Sequence, residues 1–110
     1  MRSGYLLENK SVLLICTAGI TTGILVNNIR KLVEKENESY HIYSAPAIMA
    51  ETIIKEQKID ALMIVPQVKY EIARLEEMLA FKQLPYRLID NEDYEVLNAQ
   101  AIYSKMKAML

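Results

Sequence analysis

Ser11-Val12-Leu13-Leu14-Ile15-Cys16-Thr17-Ala18-Gly19-Ile20-Thr21-Thr22-Gly23 passes from an apolar run, through a turn of small residues, into a helix. The run reads as a strand. After it, Leu25, Ile29, Leu32 and Val33 recur at helical spacing, from about Thr21 to Asn37. The chain's one cysteine falls at the join. Main-chain N–H groups at a helix start lack intrahelical partners and carry partial positive charge, so they attract anions. A thiolate at Cys16 is favoured there, and a phosphate on its sulfur would be solvated by the loop.

The same alternation continues downstream. Tyr40 to Ser44 is rich in β-formers and reads as a second strand. Pro46 suits the first turn of a helix that Met49, Ile53 and Glu56 carry to about Lys58. Asp60 to Val65 is nearly all apolar, as expected of a central strand covered on both faces, and Pro66 stops it. A third helix is predicted from about Lys69 to Phe81, with Ile72, Leu75 and Leu79 inward. Tyr86 to Asp90 is the fourth strand, and the last helix places Val96, Ala99, Ile102, Tyr103, Met106 and Leu110 on one stripe. The order βαβαβαβα predicts an α/β domain: a four-stranded parallel sheet with right-handed crossovers and helices on both faces. In the expected strand order 2-1-3-4, the Cys16 loop and Pro66-Gln67-Val68 flank one crevice beyond the carboxyl ends of the strands.

With 110 residues, 52% of them apolar, the chain can bury one core without staples. Residues 1–10 read as an N-terminal extension and residues 11–110 as the domain. A net charge of −1 argues against nucleic acid or an anionic membrane as the main target. A single cysteine cannot form an internal disulfide, which suits a reducing compartment. The start lacks a secretory h-region, and no stretch approaches the roughly 20 apolar residues of a membrane span. A cytoplasmic protein with no membrane insertion is expected. One histidine and one cysteine do not make a ligand set, so neither metal nor cofactor is expected. His41 reads as an ordinary sheet histidine. The tyrosines show no stacking pattern, and Tyr94 is expected to pack at the start of the last helix without a catalytic role.

Cys16 admits three readings. It can be a structural cysteine, since free Cys behaves as a small hydrophobe. Against that, Gly19 and Gly23 permit close backbone approach or positive φ, and Thr21 or Thr22 can cap the helix, which makes an oxyanion cradle beside a nucleophile. It can be the nucleophile of a low-molecular-weight tyrosine phosphatase or arsenate reductase, which place C-x5-R after the first strand. Thr22 stands where that arginine is needed, and no Asp-Pro acid loop is present. Or it can accept a phosphoryl group and pass it on, held by the amides of Thr17 to Gly23 and the hydroxyls of Thr17, Thr21 and Thr22. A receiver-like regulatory module is a further alternative, but Cys16-Thr17 and Val65-Pro66 replace the acidic residues it requires.

Val12 to Thr22 resembles the start of the lactose/cellobiose (chitobiose) IIB proteins of the bacterial phosphoenolpyruvate-dependent sugar phosphotransferase system. These have an apolar strand, then C-[SAG]-x-G-M-[ST]-[ST], then an amphipathic helix. Leu62 to Val68 is similar to the family's strand ending in P-Q-[IV], and Leu88-Ile89-Asp90 with Tyr94 to its V-I-D-x3-Y. Ile20 replaces the usual methionine, and Gly23 stands where the cellobiose-type loop often has serine. The resemblance implies that Cys16 is a phosphocysteine and that Thr17, Ala18, Gly19, Ile20, Thr21, Thr22 and Gly23 form its phosphate loop. It implies a IIA phosphohistidine donor and a sugar held by a IIC membrane transporter, which would bring the protein transiently to the membrane's inner face. Pro66 and Gln67 are candidates for the docking face.

Overall fold

The computed structural model describes residues 9–17 and 19–110. Most of the expected extension lies outside the described residues; Lys10, its last residue, already opens the first strand.

Strand β1 (Lys10–Cys16) pairs in parallel with β2 (Tyr40–Pro46) on one side and β3 (Ala61–Ile64) on the other. Strand β4 (Tyr86–Leu88) adds beyond β3, so the four-stranded sheet has the expected order β2-β1-β3-β4. Burial explains the order. Val12 to Cys16 and all of β3 are buried, as strands covered by helices on both faces must be. By contrast β2 leaves His41 and Ser44 exposed, and the short β4 is exposed throughout, which suits edge positions.

Helix α1 (Ile20–Lys35) buries Leu25, Val26, Ile29 and Val33, one side of a helix, against the sheet. On the same face lies the C-terminal helix α5 (Ala99–Lys107), where the Tyr103 hydroxyl donates to Glu36 at 2.9 Å and the Lys107 ammonium reaches the same carboxylate at 3.0 Å. Helices α2 (Ala50–Glu56) and α3 (Glu71–Phe81) are tied together by an Arg74–Glu51 ion pair at 3.1 Å. Right-handed crossovers place these two on the opposite face. Burying each large aliphatic side chain contributes about 1.5–3 kcal/mol.

Three local expectations change. Pro46 does not open a helix: with φ −61° and ψ 143° it ends β2, paired with Cys16. A 3-10 turn at Ala47–Met49 then leads into α2, which stops at Glu56. Proline at the end of an edge strand costs no ladder bond that the sheet needs. The third helix is likewise preceded by a 3-10 turn, Pro66–Val68. The predicted last helix is two helices, α4 (Asn91–Glu95) and α5, broken at Leu97 with φ 49°. Asn98 caps α5 by accepting the Ala101 N–H at 3.1 Å, and that turn throws Val96 outward to 71% exposure. Among the described residues no helix is long and apolar enough to cross a membrane.

Candidate functional site

β1 leads out to β2 on one side, and β3 leads on to β4 on the other, so the crevice of this sheet lies beyond the carboxyl ends of β1 and β3. Cys16 is the last residue of β1. It is only 3% exposed, and its thiol donates a weak bond to the Ala45 carbonyl at 3.7 Å. It nevertheless lines an open cleft of about 580 Å³ with Thr17, Pro46, Val68, Tyr70 and Arg74 among its walls. Cys16 therefore borders the cleft while staying almost wholly buried.

The loop behind it divides the site. Thr17 lines the thiol cleft and also a second cleft of about 210 Å³, shared with Gly19, Thr21, Thr22, Gln67 and Tyr94. Ala18 lies outside the described residues. Gly19 precedes α1 with φ 158° and ψ 174°, a backbone geometry that residues with side chains rarely adopt. The amides of Ile20, Thr21 and Thr22, in the first turn, have no intrahelical acceptor. That of Gly23 does, because helix geometry directs it to the Gly19 carbonyl.

Several predicted roles shift accordingly. Neither Thr21 nor Thr22 caps α1, which has no side-chain cap. Thr22 is instead buried, and its hydroxyl shares a 3.0 Å hydrogen bond with the Tyr94 hydroxyl. Gly23 needs no close approach: nothing lies within 4 Å of where a Cβ would stand. Ile20 is exposed at the helix start. Of the proposed docking pair, Gln67 is exposed on the second cleft and Pro66 is half-buried in the turn after β3.

Tyr94 reaches Thr22 because α4 is anchored. Asp90 precedes α4 and takes the Lys105 ammonium at 2.5 Å, while Asp93 takes it at 2.6 Å. The Lys105 hydrogen bond is the main reason the Asp90 carboxyl lies below its ordinary pKa, and the Asp90 and Asp93 bonds raise Lys105 in return. His41 pairs with Ser11, at the other end of the sheet from Cys16. Five residue steps along the strand put its backbone roughly 16 Å from that of Cys16. It is exposed and stacks on Tyr43 at 5.0 Å. Among the described residues no group of three or more His, Cys, Asp or Glu could hold a metal.

Sequence reasoning missed Tyr70 and Arg74, which join Cys16 in the cleft from the far side of the crevice. The available signal was their spacing: four apart just after β3, they share one helical face.

The sequence profile described as "PTS system, Lactose/Cellobiose specific IIB subunit" matches residues 11–108. The galactose-specific EIIB component of Lactococcus lactis subsp. cremoris is 20% identical over 107 residues, covering 94% of this chain and 99% of that protein. The cellobiose-specific EIIB component of Lactococcus lactis subsp. lactis is also 20% identical, with the same coverage of 94% and 99%. The solution structure of the cellobiose-specific IIB component from Borrelia burgdorferi superposes with a TM-score of 0.71 at 26% identity, over 88% of this chain and 87% of that one. The lactose-specific IIB domain of Streptococcus pneumoniae has the same fold, with a TM-score of 0.77 at 16% identity, over 91% and 97%. With a match along nearly its whole length and the parallel sheet found in those structures, the chain belongs to the lactose/cellobiose-specific IIB subunits of the phosphotransferase system (PTS).

Proposed function

We propose that this chain is a phosphocarrier that takes a phosphoryl group onto Cys16 from the phosphohistidine of a IIA protein and gives it to a sugar bound by a IIC membrane transporter. The observation that carries the reading is Cys16 bordering an open cleft at the sheet's switch point, in a chain of the IIB family. In the first step the thiolate sulfur forms the S–P bond as the N–P bond to the donor imidazole breaks. The imidazole keeps its electron pair, and the thiol proton has gone to solvent. In the second step a sugar hydroxyl oxygen forms the O–P bond as S–P breaks. The thiolate is restored and the hydroxyl proton is released.

Such transfers need positioning and electrostatic stabilisation more than covalent help from the protein. Amides at the start of α1 and the Thr17 and Thr21 hydroxyls are the donors proposed for the phosphate, with Thr22 contributing its amide. The side chains of Ile20, Ile48 and Tyr70 are largely exposed around the site. With Pro66 and Gln67 they form the face proposed to receive IIA and IIC in turn, an apolar patch of the kind that partners cover. Cellobiose, lactose and galactose appear in the names of the relatives, so a sugar of that class is the proposed acceptor.

Arg74 beside Cys16 gives some substance to the phosphatase alternative, since an arginine clamp promotes hydrolysis. Its charge, however, is matched by Glu71 and Glu51. Reconstitution separates the two readings. Purified chain, phosphorylated IIA protein of the lactose/cellobiose class and membranes carrying the matching IIC should convert labelled sugar to sugar phosphate, with each component required. Prompt hydrolysis of an aryl phosphate by the chain alone, without sugar phosphate in the complete mixture, would reverse the assignment.

A further inference from the structure

Arg74 and Cys16 come from α3 and β1, yet they share one cleft. The guanidinium is held on three sides: Nε donates to Glu71 at 2.5 Å, Nη1 to Glu51 at 3.1 Å, and Nη2 to the Ala47 carbonyl at 3.4 Å. Ala47 follows Pro46, the residue paired with Cys16 across the sheet. The arginine is thus anchored to the main chain beside the thiol's own strand neighbour. Its side chain remains 43% exposed, and among the described residues lining the cleft it is the one cation and Glu71 the one carboxylate. Glu51 stands behind it and also binds Lys55, which is the chief cause of the low pKa of Glu51; Arg74 adds to it.

A planar guanidinium matches phosphoryl oxygens two at a time. Glu51–Arg74 is an exposed pair, and such pairs are worth little, so exchanging it for a doubly charged group costs little. We propose that Arg74 receives the phosphoryl group carried on Cys16, giving up Glu51 for the phosphoryl oxygens while Glu71 keeps Nε in place. The inference rests on Cys16 being the phosphoryl acceptor and adds a side-chain ligand to the main-chain donors. Glu51 and Glu71 temper the arginine. They leave enough charge to hold a phosphoryl group for its next acceptor, without the unopposed clamp that would favour attack by water.

The test uses charge selectivity at the thiol. Cys16 in the intact chain is alkylated in parallel by iodoacetate, an anion, and iodoacetamide, its neutral counterpart, and the ratio of rates is compared across variants. Arg74→Gln should lower the iodoacetate-to-iodoacetamide ratio about two- to five-fold, the size of one charge in a solvent-open cleft. Arg74→Lys should keep most of the ratio, and Glu51→Gln should raise it. The iodoacetamide rate carries both the reach of the thiol and its thiolate fraction, and the ratio cancels them. A ratio unchanged in Arg74→Gln, or moved the same way by Arg74→Gln and Glu51→Gln, overturns the inference, as does a thiol that neither reagent reaches. A second arm supplies phosphorylated IIA protein of the lactose/cellobiose class: wild-type Cys16 should take up its phosphoryl group several-fold faster than the Arg74→Gln variant. Equal uptake rates overturn the role of Arg74. If wild-type Cys16 takes no phosphoryl group, the carrier reading fails, and the role of Arg74 as a phosphoryl ligand fails with it; the alkylation ratio then shows whether the cleft still selects anions.

Discussion

Thr22 sits in the first turn of a helix, where a hydroxyl ordinarily caps free amides or meets water, yet it is buried and shares its hydrogen bond with Tyr94. One of the two hydroxyls donates and the other accepts, so the pair joins the start of α1 to α4 across the second cleft. Removing either partner leaves the other short of a bond in a mostly dry place, at about 1 kcal/mol each. Thr22→Val and Tyr94→Phe should each lose about that much stability in urea unfolding. The double variant should lose clearly less than the sum, because both changes break the same bond. Strict additivity would show that the hydroxyls do not depend on each other. Cys16 was legible in the sequence because a lone thiol between an apolar strand and a glycine-bearing turn has few places to go. The Thr22–Tyr94 bond was not legible. It depends on the kink at Leu97 and on the Lys105 anchor, and neither leaves a local signal.

Elements followed from hydrophobic period wherever the period was long. Val12 to Cys16 read directly as a strand and Asp60 to Val65 as a central one, and Leu25, Ile29 and Val33 fixed the inward face of α1. What failed was punctuation. Pro46 is equally at home at a strand end or in a first helical turn, and the choice is made by its pairing with Cys16. Asn98 inside an apparent helical stripe proved to be a cap. The spacing of Tyr70 and Arg74 put them on one face, but that this face meets the cleft depends on how α3 lies against α2. The turn from α3 to β4 carries a prediction of its own. Gln83 is exposed and holds φ 53°, a left-handed conformation that costs a residue with a Cβ. Gln83→Gly should raise stability by about 0.5–1 kcal/mol in thermal or urea unfolding. A loss of stability would show that the side chain contributes more than its backbone strain costs.

The whole molecule is fastened at the end of the sheet away from the thiol, where the Ser11 N–H donates to the Asp60 carboxylate at 2.8 Å and the Asp60 N–H donates to the Ser11 carbonyl at 2.8 Å. This double link sets β3 against β1, the central pair on which the crevice depends. Burial works against the charge of Asp60, whose side chain is 17% exposed, but the Ser11 N–H and Lys58 outweigh it and hold the carboxyl below its ordinary 3.8. A folded-state pKa below the unfolded one gives stability that is present above the unfolded value and lost as pH falls through the folded value. Asp60→Asn should therefore cost about 1–2 kcal/mol at neutral pH, and the gap between wild type and variant should close as pH drops below 3.8. A gap that is the same at both pH values would assign the effect to shape and not charge. At the opposite end of the same strand pair, the central claim concerns a single atom, the sulfur of Cys16. The direct measurement is the intact mass at neutral pH, with peptide mapping, of wild type and Cys16→Ser after exposure to phosphorylated IIA protein of the lactose/cellobiose class. Wild type should gain one phosphoryl group, located on Cys16, and Cys16→Ser should gain none; an unmodified wild type, or the same gain in Cys16→Ser, would contradict the account.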